Sequence, residues 1–439
     1  MTSDQTFLST RRGFLGLASG AALLAAGARP AAAQKVPTKA KIVILGAGAA
    51  GTALANRLVA RLDGAEITLV DGRAEHWYQP GFTLIAAGLK PAGYSVSQTA
   101  EWLPREVTLV AEYAAEIDPE AQTLTTASGK VLDYDFLITA PGLVLDWDGI
   151  EGFSLDLVGK DGVGAVYAGP DHAARTWAEM DRFTSTGGKA VFLRPATEMK
   201  CAGAPLKYTF LTEDYASKKG NRGKVEIEYW NSSGALFGVP IVAEKVRMLF
   251  AERGIKTEMH RVLKSIDPVK KILTFEDADG IEHETDYDFT NVIPPQRAPD
   301  VIRQSGLSWE NRWVDQGWVE VDPYTLRHNR YPNVFAVGDV AGVPKGKTAA
   351  SVKWQVPVVE DHLVAQIAGD TTDTVYNGYT SCPLITRVGR AMLIEFDYNN
   401  DLVPSFPGVI APLEELWISW LMKEVALKPT YNAMLRGKA

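Results

Sequence analysis

The stretch KIVILGAGAAG, residues 41–51, decides the fold class of this chain. Its apolar first half predicts a buried parallel strand, and a helical pattern of apolar residues follows the glycines through Leu54 and Leu58. A second predicted strand, residues 66–70, ends at Asp71, about 20 residues past the last glycine. This order of strand, glycine turn, helix, strand and acid is typical of a dinucleotide-binding fold.

Each glycine of the turn has a physical task in such a fold. Gly46 permits the tight turn, Gly48 lets backbone amides approach a pyrophosphate, and Gly51 lets the helix pack closely on the sheet. Asp71 is expected to accept hydrogen bonds from a ribose. Because FAD and NAD share this motif, the motif alone leaves the nucleotide open.

Two further segments favour FAD. YDFLITAPG, residues 134–142, resembles the strand and turn that close the first half of the FAD domain in two-dinucleotide flavoproteins. NVFAVGD, residues 333–339, resembles their second FAD segment, whose Asp holds the ribityl chain. We therefore expect an α/β flavoprotein with tandem Rossmann-like domains and a small C-terminal region, with FAD as its cofactor.

The second Rossmann-like unit has lost its nucleotide motif. Its first strands are predicted at residues 189–193 and 225–229. Where a pyridine-nucleotide reductase has a second glycine motif, this chain has RPATEMKCAGAP, residues 194–205. The two prolines remove amide donors that a pyrophosphate needs, so we expect the fold to remain without a nucleotide and NAD(P)H not to be the electron donor.

The N-terminal residues are typical of a twin-arginine signal peptide. Arg11 and Arg12 precede a short apolar stretch and an A-x-A cleavage pattern. We therefore expect export of a folded, cofactor-loaded protein to the bacterial periplasm. The predicted division of the chain is a leader at residues 1–33, an FAD-binding domain at 40–150 plus about 331–375, a second Rossmann-like domain at 151–330 and a cysteine-bearing C-terminal region at 376–439.

Composition excludes several classes of protein. The 439 residues are 46% apolar and 22% charged, which indicates a folded chain of two or three domains. A net charge of −8 opposes a nucleic-acid partner, because such a partner needs a basic face. We expect no metal site.

The chain has two cysteines, Cys201 and Cys382. In an exported protein they would most simply form one structural disulfide, or be two small buried residues. Cys201, however, stands on the loop that would deliver a nicotinamide to the flavin, beside Lys200 and Lys207, whose charge favours a thiolate. A disulfide at a flavin can relay two electrons, so a structural bridge and a redox relay both remain open at this point.

The whole chain from Lys41 to Arg436 resembles the sulfide:quinone oxidoreductases, and their mitochondrial-type branch most closely. The segments that carry the resemblance are KCAGAP (200–205), SGALFGV (233–239), YPNVF (331–335), KTAA (347–350), GYTSCPL (378–384) and EFDY (395–398). The segments that bear cysteines are more specific to the family than the FAD motifs are.

The resemblance implies oxidation of sulfide through a Cys201–Cys382 disulfide. Sulfane sulfur would stay on Cys382 as a persulfide, while the Cys201 thiolate faces the flavin and passes two electrons to it. A quinone would take the electrons, and a small acceptor would take the sulfur.

The resemblance also implies the cofactor contacts. Lys347 and the helix N-terminus that follows it would stabilise negative charge on the reduced flavin. The cofactor residues expected in this way, together with those of the FAD motifs, are Gly46, Gly48, Ala49, Ala50, Gly51, Asp71, Gln79, Ala114, Gly142, Asp339, Lys347, Thr348, Ala349 and Ala350.

Two alternative functions remain. The flavoprotein subunit of flavocytochrome c sulfide dehydrogenases is also exported and would pass electrons to a cytochrome c on another chain, since no C-x-x-C-H haem motif occurs here. The second alternative is a non-enzymatic flavin-bound redox sensor.

Two smaller features complete the sequence analysis. His76 is expected to be a hydrogen-bonded structural histidine rather than a proton shuttle. A helical apolar face suits a peripheral membrane contact and packing on the protein's own core equally well. Its members are Leu413, Leu416, Trp417, Trp420, Leu421 and Val425.

Overall fold

The structure is a computed structural model that describes residues 35–438. The predicted leader, including Arg11 and Arg12, lies outside the described residues. The first of two five-stranded parallel sheets has the strand order Val334–Ala336, Phe136–Thr139, Lys41–Leu45, Glu66–Val70 and Val107–Val110. The strands predicted at residues 41–45 and 66–70 have the predicted bounds.

The second parallel sheet has five strands as well. Their order is Val163–Gly164, Phe289–Asn291, Gly188–Arg194, Val225–Asn231 and Ile255–Met259. The strands predicted at 189–193 and 225–229 are present and slightly longer than predicted. The predicted α/β fold with two dinucleotide-type sheets is confirmed.

Helices and small antiparallel sheets surround the parallel sheets. The α-helices are Ala49–Arg61, Phe82–Ile85, Pro170–Thr186, Ala204–Lys218, Pro240–Glu252, Asp300–Arg303, Ala349–Ala368, Trp417–Leu421 and Leu427–Leu435. Two three-stranded antiparallel sheets consist of Ala114–Asp118, Thr123–Thr126 and Val131–Asp133, and of Val262–Asp267, Ile272–Glu276 and Glu282–Asp286.

The chain returns to the first sheet earlier than the predicted domain boundary near residue 331. Ala298, Ile302 and Trp318 are buried in the same core as the strand Lys41–Leu45. The return is early because the strand Val319–Glu320 pairs with Ala341–Gly342, directly after the second FAD segment.

Two segments carry the cysteines to the same edge of the molecule. The cysteine loop, residues 195–203, connects the strand Gly188–Arg194 to the helix Ala204–Lys218. The cysteine hairpin consists of the antiparallel strands Thr380–Arg387 and Arg390–Phe396, and it packs on that helix.

The C-terminal helical run joins Trp417–Leu421 to Leu427–Leu435 through a π-helical turn, Met422–Ala426. Its predicted apolar face is partly buried and partly exposed. Trp420 is buried, with 5% of its surface exposed, whereas Trp417 and Val425 are each 56% exposed. Within residues 35–438, we find no helix with the length and apolar character that crossing a membrane requires.

Candidate active site

The carboxyl ends of the first sheet's strands open onto a cavity, and Lys200 and Cys201 of the cysteine loop also line it. Ligands of open α/β sheets bind at this edge. Most of the predicted site residues line the cavity, namely Gly48, Ala49, Ala50, Gln79, Gly142, Cys201, Asp339, Lys347, Thr348, Ala349 and Ala350.

Gly46 and Gly51 shape the glycine turn from behind the cavity lining. Gly46 has a φ of +100°, and a Cβ there would lie 2.4 Å from the Ala140 carbonyl oxygen. A Cβ on Gly51 would lie 1.9 Å from the Gly46 carbonyl oxygen, so only glycine lets the helix approach the turn this closely. A Cβ on Gly48 would meet no protein atom within 4 Å, because this position faces open space.

Asp71 and Ala114 lie outside the lining of the cavity. The Asp71 carboxylate accepts the Ala47 amide at 2.7 Å and the Arg73 amide at 2.8 Å, so it holds the glycine turn in place. Ala114 begins a strand of an outlying antiparallel sheet. The structure therefore does not bring these two residues into the lining together with the other predicted cofactor residues.

Two helix N-termini face the cavity. The helix Ala49–Arg61 begins directly after Gly48, and the helix Ala349–Ala368 begins after Thr348. The Thr348 hydroxyl caps the second helix by accepting the Ser351 amide at 3.1 Å. The first amides of both helices have no partner within the helix, and they favour a pyrophosphate or a negatively charged ring.

The side chains around the cavity are strongly basic, although the chain as a whole is acidic. Lys200 donates to Gln79 Oε1 at 2.7 Å, and burial lowers the pKa of Lys200 to about 8. The cationic residues of the lining are Arg73, Lys200, Lys207, Lys347 and Lys423, and they face one carboxylate, Asp339. This donor set and the two helix N-termini fit an anionic dinucleotide cofactor.

The ammonium of Lys347 is held by several contacts within the protein. Its ammonium donates to the carbonyls of Asp339 and Ala341 and lies 3.7 Å from the centre of the Trp318 ring. Two of its N–H donors therefore have carbonyl acceptors. The amides of Ala349 and Ala350 offer further hydrogen bonds to a ligand beside it.

The two cysteines meet where the cysteine loop touches the cysteine hairpin. Their side chains lie side by side, as the predicted disulfide requires, and the structure holds both as thiols. Cys201 lines the cavity, whereas Cys382 lies behind it and is 4% exposed. A Cβ on Gly203 would lie 2.6 Å from the Cys382 sulfur, so this glycine makes room for it.

Cys201 occupies a strained backbone position that two contacts maintain. Its φ is +50°, which lies in the left-handed region that side chains other than glycine rarely adopt. Its amide donates to the Lys347 carbonyl at 2.9 Å, which attaches the cysteine loop to the FAD-type segment. Its sulfur accepts the Lys207 ammonium at 3.3 Å.

The two sulfur atoms have opposite acidities. The hydrogen bond from Cys382 and the charge of Lys207 hold the pKa of Cys201 well below its usual range, although burial acts against them. The same hydrogen bond, together with burial, raises the pKa of Cys382 far above its usual range. Cys201 is therefore the thiolate of the pair, and Cys382 is the thiol.

His76 has the structural role that the sequence analysis expects. Its Nδ1 lies 3.2 Å from the Ala47 carbonyl and its Nε2 lies 2.8 Å from the Tyr431 hydroxyl. A carbonyl only accepts, so Nδ1 donates and Nε2 accepts. Burial lowers the pKa of His76 to about 4, so the ring is neutral at physiological pH.

Several residues of the lining do not stand out in the sequence, among them Tyr167, Lys423 and Tyr431. Lys423 lies in the π-helical turn and donates to the Pro80 carbonyl, and burial together with Lys207 lowers its pKa to about 7. Lys423, Leu427 and Tyr431 follow one another at intervals of four residues, so their helical spacing is the signal that could have identified them.

Two parallel sheets, a glycine turn and a thiol pair at one basic cavity define a flavoprotein oxidoreductase, and its cofactor is FAD. Residues 40–187 match the family model described as pyridine nucleotide-disulphide oxidoreductase. The mitochondrial sulfide:quinone oxidoreductase of Mus musculus is 35% identical and covers 90% of this chain and 86% of its own. The chain belongs to the sulfide:quinone oxidoreductase family.

Two further comparisons agree with this assignment. The mitochondrial sulfide:quinone oxidoreductase of Dictyostelium discoideum is 32% identical over 92% of this chain and 88% of its own. The solved sulfide:quinone oxidoreductase of Aquifex aeolicus shares the fold, with a TM-score of 0.72 and 23% identity over 91% of this chain and 92% of its own.

Proposed function

We propose that this protein oxidises sulfide through the thiol pair Cys201 and Cys382 and passes the electrons to a quinone. The names of its relatives supply the substrate and the acceptor. One observation carries the thiol step: two cysteines 181 residues apart in the chain lie side by side at the cavity. The family assignment and this pairing together favour the redox relay over a structural bridge.

The proposed cycle begins from a Cys201–Cys382 disulfide. The hydrosulfide ion attacks the sulfur of Cys382, a new sulfur–sulfur bond forms there, and Cys201 leaves as a thiolate. A small nucleophile, which can be a second hydrosulfide ion, then takes the outer sulfur from Cys382, and Cys382 is left as a thiolate. The two cysteine sulfurs re-form their bond and give up two electrons, for which bound FAD would be the acceptor.

The positions of the two cysteines support these roles, in which Cys201 leaves as a thiolate and Cys382 carries the sulfur. Cys201 lines the cavity and is the better leaving group, because its pKa is the lower of the two. Cys382 is screened from the cavity by its burial, so a persulfide there is kept apart from the cofactor. Gly203 leaves space beside the Cys382 sulfur that a larger residue would fill.

The basic side chains indicate that the sulfur acceptor is an anion. The ammonium of Lys207 lies 3.3 Å from the Cys201 sulfur, and its charge acts on both thiols. Lys423 approaches from the π-helical turn, and its charge also lowers the pKa of Cys201. The ammonium of Lys207, together with the protonated fraction of Lys423, would attract hydrosulfide and an anionic acceptor, and would stabilise the departing thiolate.

The residues that would hold FAD are those of the glycine turn and of the two helix N-termini. When bound, FAD supplies a two-electron acceptor beside Cys201 and a donor for the quinone. Gly48 leaves open space for the pyrophosphate, and Lys200 of the cysteine loop donates to Gln79 in the cavity lining. The amides of Ala349 and Ala350 would stabilise negative charge that develops on the ring.

A peripheral membrane contact through the C-terminal helical run would bring the quinone to the cavity. Lys423, Leu427 and Tyr431 line the cavity, while Trp417 and Val425 on the same run are largely exposed. Exposed tryptophan and aliphatic side chains on a helix suit the interface of a lipid bilayer. The run would therefore connect the membrane surface with the cavity.

The cellular location depends on the leader, residues 1–33. The curated relatives above are named mitochondrial, which argues against the periplasmic location. Export by the twin-arginine route stays a prediction, and replacing Arg11 and Arg12 with lysine tests it, because the exported form would then accumulate unprocessed in the cytoplasm.

An anaerobic rapid-mixing experiment tests the proposed function. Micromolar sulfide is expected to bleach the oxidised flavin, and a ubiquinone analogue is expected to restore its absorbance and to sustain turnover. Reoxidation by cytochrome c but not by the quinone would contradict the proposed acceptor. A flavin that sulfide leaves unchanged would contradict the proposed substrate.

A further inference from the structure

The backbone at Cys201 has hydrogen-bond partners on both sides of the residue. The amide of Cys201 donates to the Lys347 carbonyl at 2.9 Å, and the carbonyl of Cys201 accepts the Ala204 amide at 2.7 Å. The amide of Lys200, which directly precedes Cys201, donates to the side-chain oxygen of Gln296 at 2.9 Å. Of these three partners, Gln296 alone acts through its side chain, so it is the partner that a substitution can remove.

Gln296 also contacts the cysteine loop at a second point. Its amide donates to the Thr197 hydroxyl at 2.9 Å, and Thr197 precedes Lys200 by three residues. Gln296 is 1% exposed, so water does not readily replace either hydrogen bond, and a buried polar group without its partner is unfavourable. We name Thr197, Lys200 and Gln296 the loop clamp.

Gln296 belongs to the ribbon that connects the two parallel sheets. The chain passes from the first sheet to the second through Val144–Leu145 and returns through Gln296–Arg297, and these two short strands pair antiparallel. The Arg297 guanidinium also pairs with the Asp146 carboxylate at 3.4 Å. The loop clamp is therefore attached to a backbone segment whose position is set by both sheets.

The left-handed conformation of Cys201 explains why its backbone needs such partners. A residue other than glycine keeps a φ of +50° only where the surrounding structure maintains it, because this conformation is unfavourable on its own. When no bond joins the two sulfur atoms, a cysteine loop without the clamp would relax and move the Cys201 sulfur away from Cys382. A disulfide would prevent this relaxation. Loss of the clamp would therefore stabilise the two thiols relative to the disulfide.

We propose that Gln296 is a positioning residue that holds Cys201 where its sulfur meets the sulfur of Cys382. Gln296 takes no part in the chemistry and acts through the backbone of Lys200. It favours the step in which two cysteine thiolates form one sulfur–sulfur bond and give up two electrons, for which bound FAD would be the acceptor. The proposal rests on the proposed function, because that function uses the thiol pair as the relay.

Equilibration with dithiothreitol tests the proposal without sulfide and without a quinone. The FAD-loaded protein is equilibrated anaerobically at different ratios of reduced to oxidised dithiothreitol, its thiols are trapped with a maleimide after an acid quench, and mass spectrometry counts the labels. The chain has two cysteines, so no label or two labels identify the oxidised or the reduced pair. The variants are Gln296→Met and Thr197→Val, each of which removes one hydrogen bond of the loop clamp.

A general loosening of the cysteine loop is the competing explanation, and Ser232→Ala is the matched control for it. The Ser232 hydroxyl donates to the Pro195 carbonyl at 2.8 Å. The control therefore removes one side-chain hydrogen bond to the same loop, six residues before Cys201, and leaves the loop clamp unchanged.

The clamp predicts a selective effect on the redox equilibrium of the pair. In Gln296→Met, the ratio of reduced to oxidised dithiothreitol at which half of the protein is reduced is expected to fall by at least about tenfold, which corresponds to about 30 mV. Thr197→Val is expected to shift this ratio in the same direction. The ratio in Ser232→Ala and the FAD content of every variant are expected to stay within about twofold of the parent.

Three results would overturn the positioning role. They are a parent ratio in both clamp variants, an equal shift in Ser232→Ala, and loss of FAD from the clamp variants, and the last two would assign Gln296 a general structural role. A parent protein that carries two labels in every buffer would contradict the disulfide of the proposed function instead. Alkylation of Cys201 by iodoacetamide at pH 6 would then still test the clamp, because a displaced Cys201 loses its contact with Lys207 and is expected to react about tenfold more slowly in Gln296→Met.

Discussion

The two parallel sheets end their equivalent strands at the same cavity but continue in different ways. After Lys41–Leu45 the chain makes a glycine turn, in which the Cα of Gly48 faces open space. After Gly188–Arg194 it makes the cysteine loop, which presents the thiol of Cys201 to the cavity. The same topology therefore supports nucleotide binding in one half and sulfur chemistry in the other. The connection after the strand, and not the sheet, carries the function.

The strongest test of this contrast removes each cysteine in turn. Cys201→Ser and Cys382→Ser are expected to slow the bleaching of the flavin by sulfide by at least about a thousandfold, because each removes one sulfur of the pair. Both variants are expected to keep the FAD content of the parent, because neither side chain belongs to the glycine turn. Absorbance spectra and rapid mixing measure the two properties. Loss of FAD from both variants would show that the pair is structural.

Two substitutions in the glycine turn distinguish a position that binds the cofactor from a position that packs the helix on the turn. Gly51→Ala is expected to lower the free energy of unfolding by about 3 kcal/mol, because its Cβ would lie 1.9 Å from a backbone oxygen. Gly48→Ala is expected to leave the stability of the FAD-free protein nearly unchanged and to weaken FAD binding. Denaturant titration and FAD titration are the measurements. Equal FAD affinity in Gly48→Ala and the parent would contradict the assigned pyrophosphate position.

His76 adds a pH-dependent contribution to the first half. Its pKa is about 4 in the folded protein and about 6.5 when unfolded, so the unfolded state takes up a proton first as the pH falls. Stability is therefore lost between pH 6.5 and pH 4. As the pH falls from 7 to 4.5, the free energy of unfolding of the His76→Gln variant is expected to decrease by about 2 kcal/mol less than that of the parent.

His328→Gln is the matched control, because burial also lowers the pKa of His328 to about 4 and this residue lies outside the cavity lining. Both variants are expected to show the reduced pH dependence in denaturant titrations. Weaker FAD binding is expected in the His76 variant alone, since His76 contacts the glycine turn at Ala47. An unchanged pH dependence in both variants would contradict the neutral, buried state.

A substitution of Lys207 tests the electrostatics of the cysteine loop, and its expected effect is the smallest of those described here. Lys207→Met removes a charge that lowers the pKa of the Cys201 thiol, so less thiolate is present at pH 6. Alkylation of Cys201 by iodoacetamide in the reduced protein is expected to slow by about tenfold at pH 6 and much less at pH 9. Lys218→Met, on the same helix but paired with Asp214, is the control. An equal rate of alkylation at pH 6 in the parent, Lys207→Met and Lys218→Met would contradict the effect of Lys207 on the pKa of Cys201.

The sequence predicts the first half in detail because local patterns determine it. The apolar strands at residues 41–45 and 66–70 and the glycines between them need only their neighbours to adopt this geometry. Even here the structure adds a contact, since the Asp71 carboxylate accepts the backbone amides of Ala47 and Arg73. A side chain with several nearby donors cannot be assigned to a ligand from sequence spacing alone.

The remainder of the site depends on contacts between distant segments. The meeting of Cys201 and Cys382 requires the cysteine hairpin to pack on the helix Ala204–Lys218, and the family resemblance, not local pattern, led to it. Lys423 and Tyr431 enter the lining from a helical run whose position is set by tertiary packing. The contacts of the Lys347 ammonium with the carbonyls of Asp339 and Ala341 and with the Trp318 ring likewise depend on tertiary packing.

Mass spectrometry of the unreduced, FAD-loaded protein tests the central claim most directly. As isolated in the oxidised form, it is expected to yield a peptide pair linked through Cys201 and Cys382. After one equivalent of sulfide without an acceptor, the added sulfur is expected on Cys382, with Cys201 free of it. Two unlinked thiols beside an oxidised flavin, or the added sulfur on Cys201, would contradict the account.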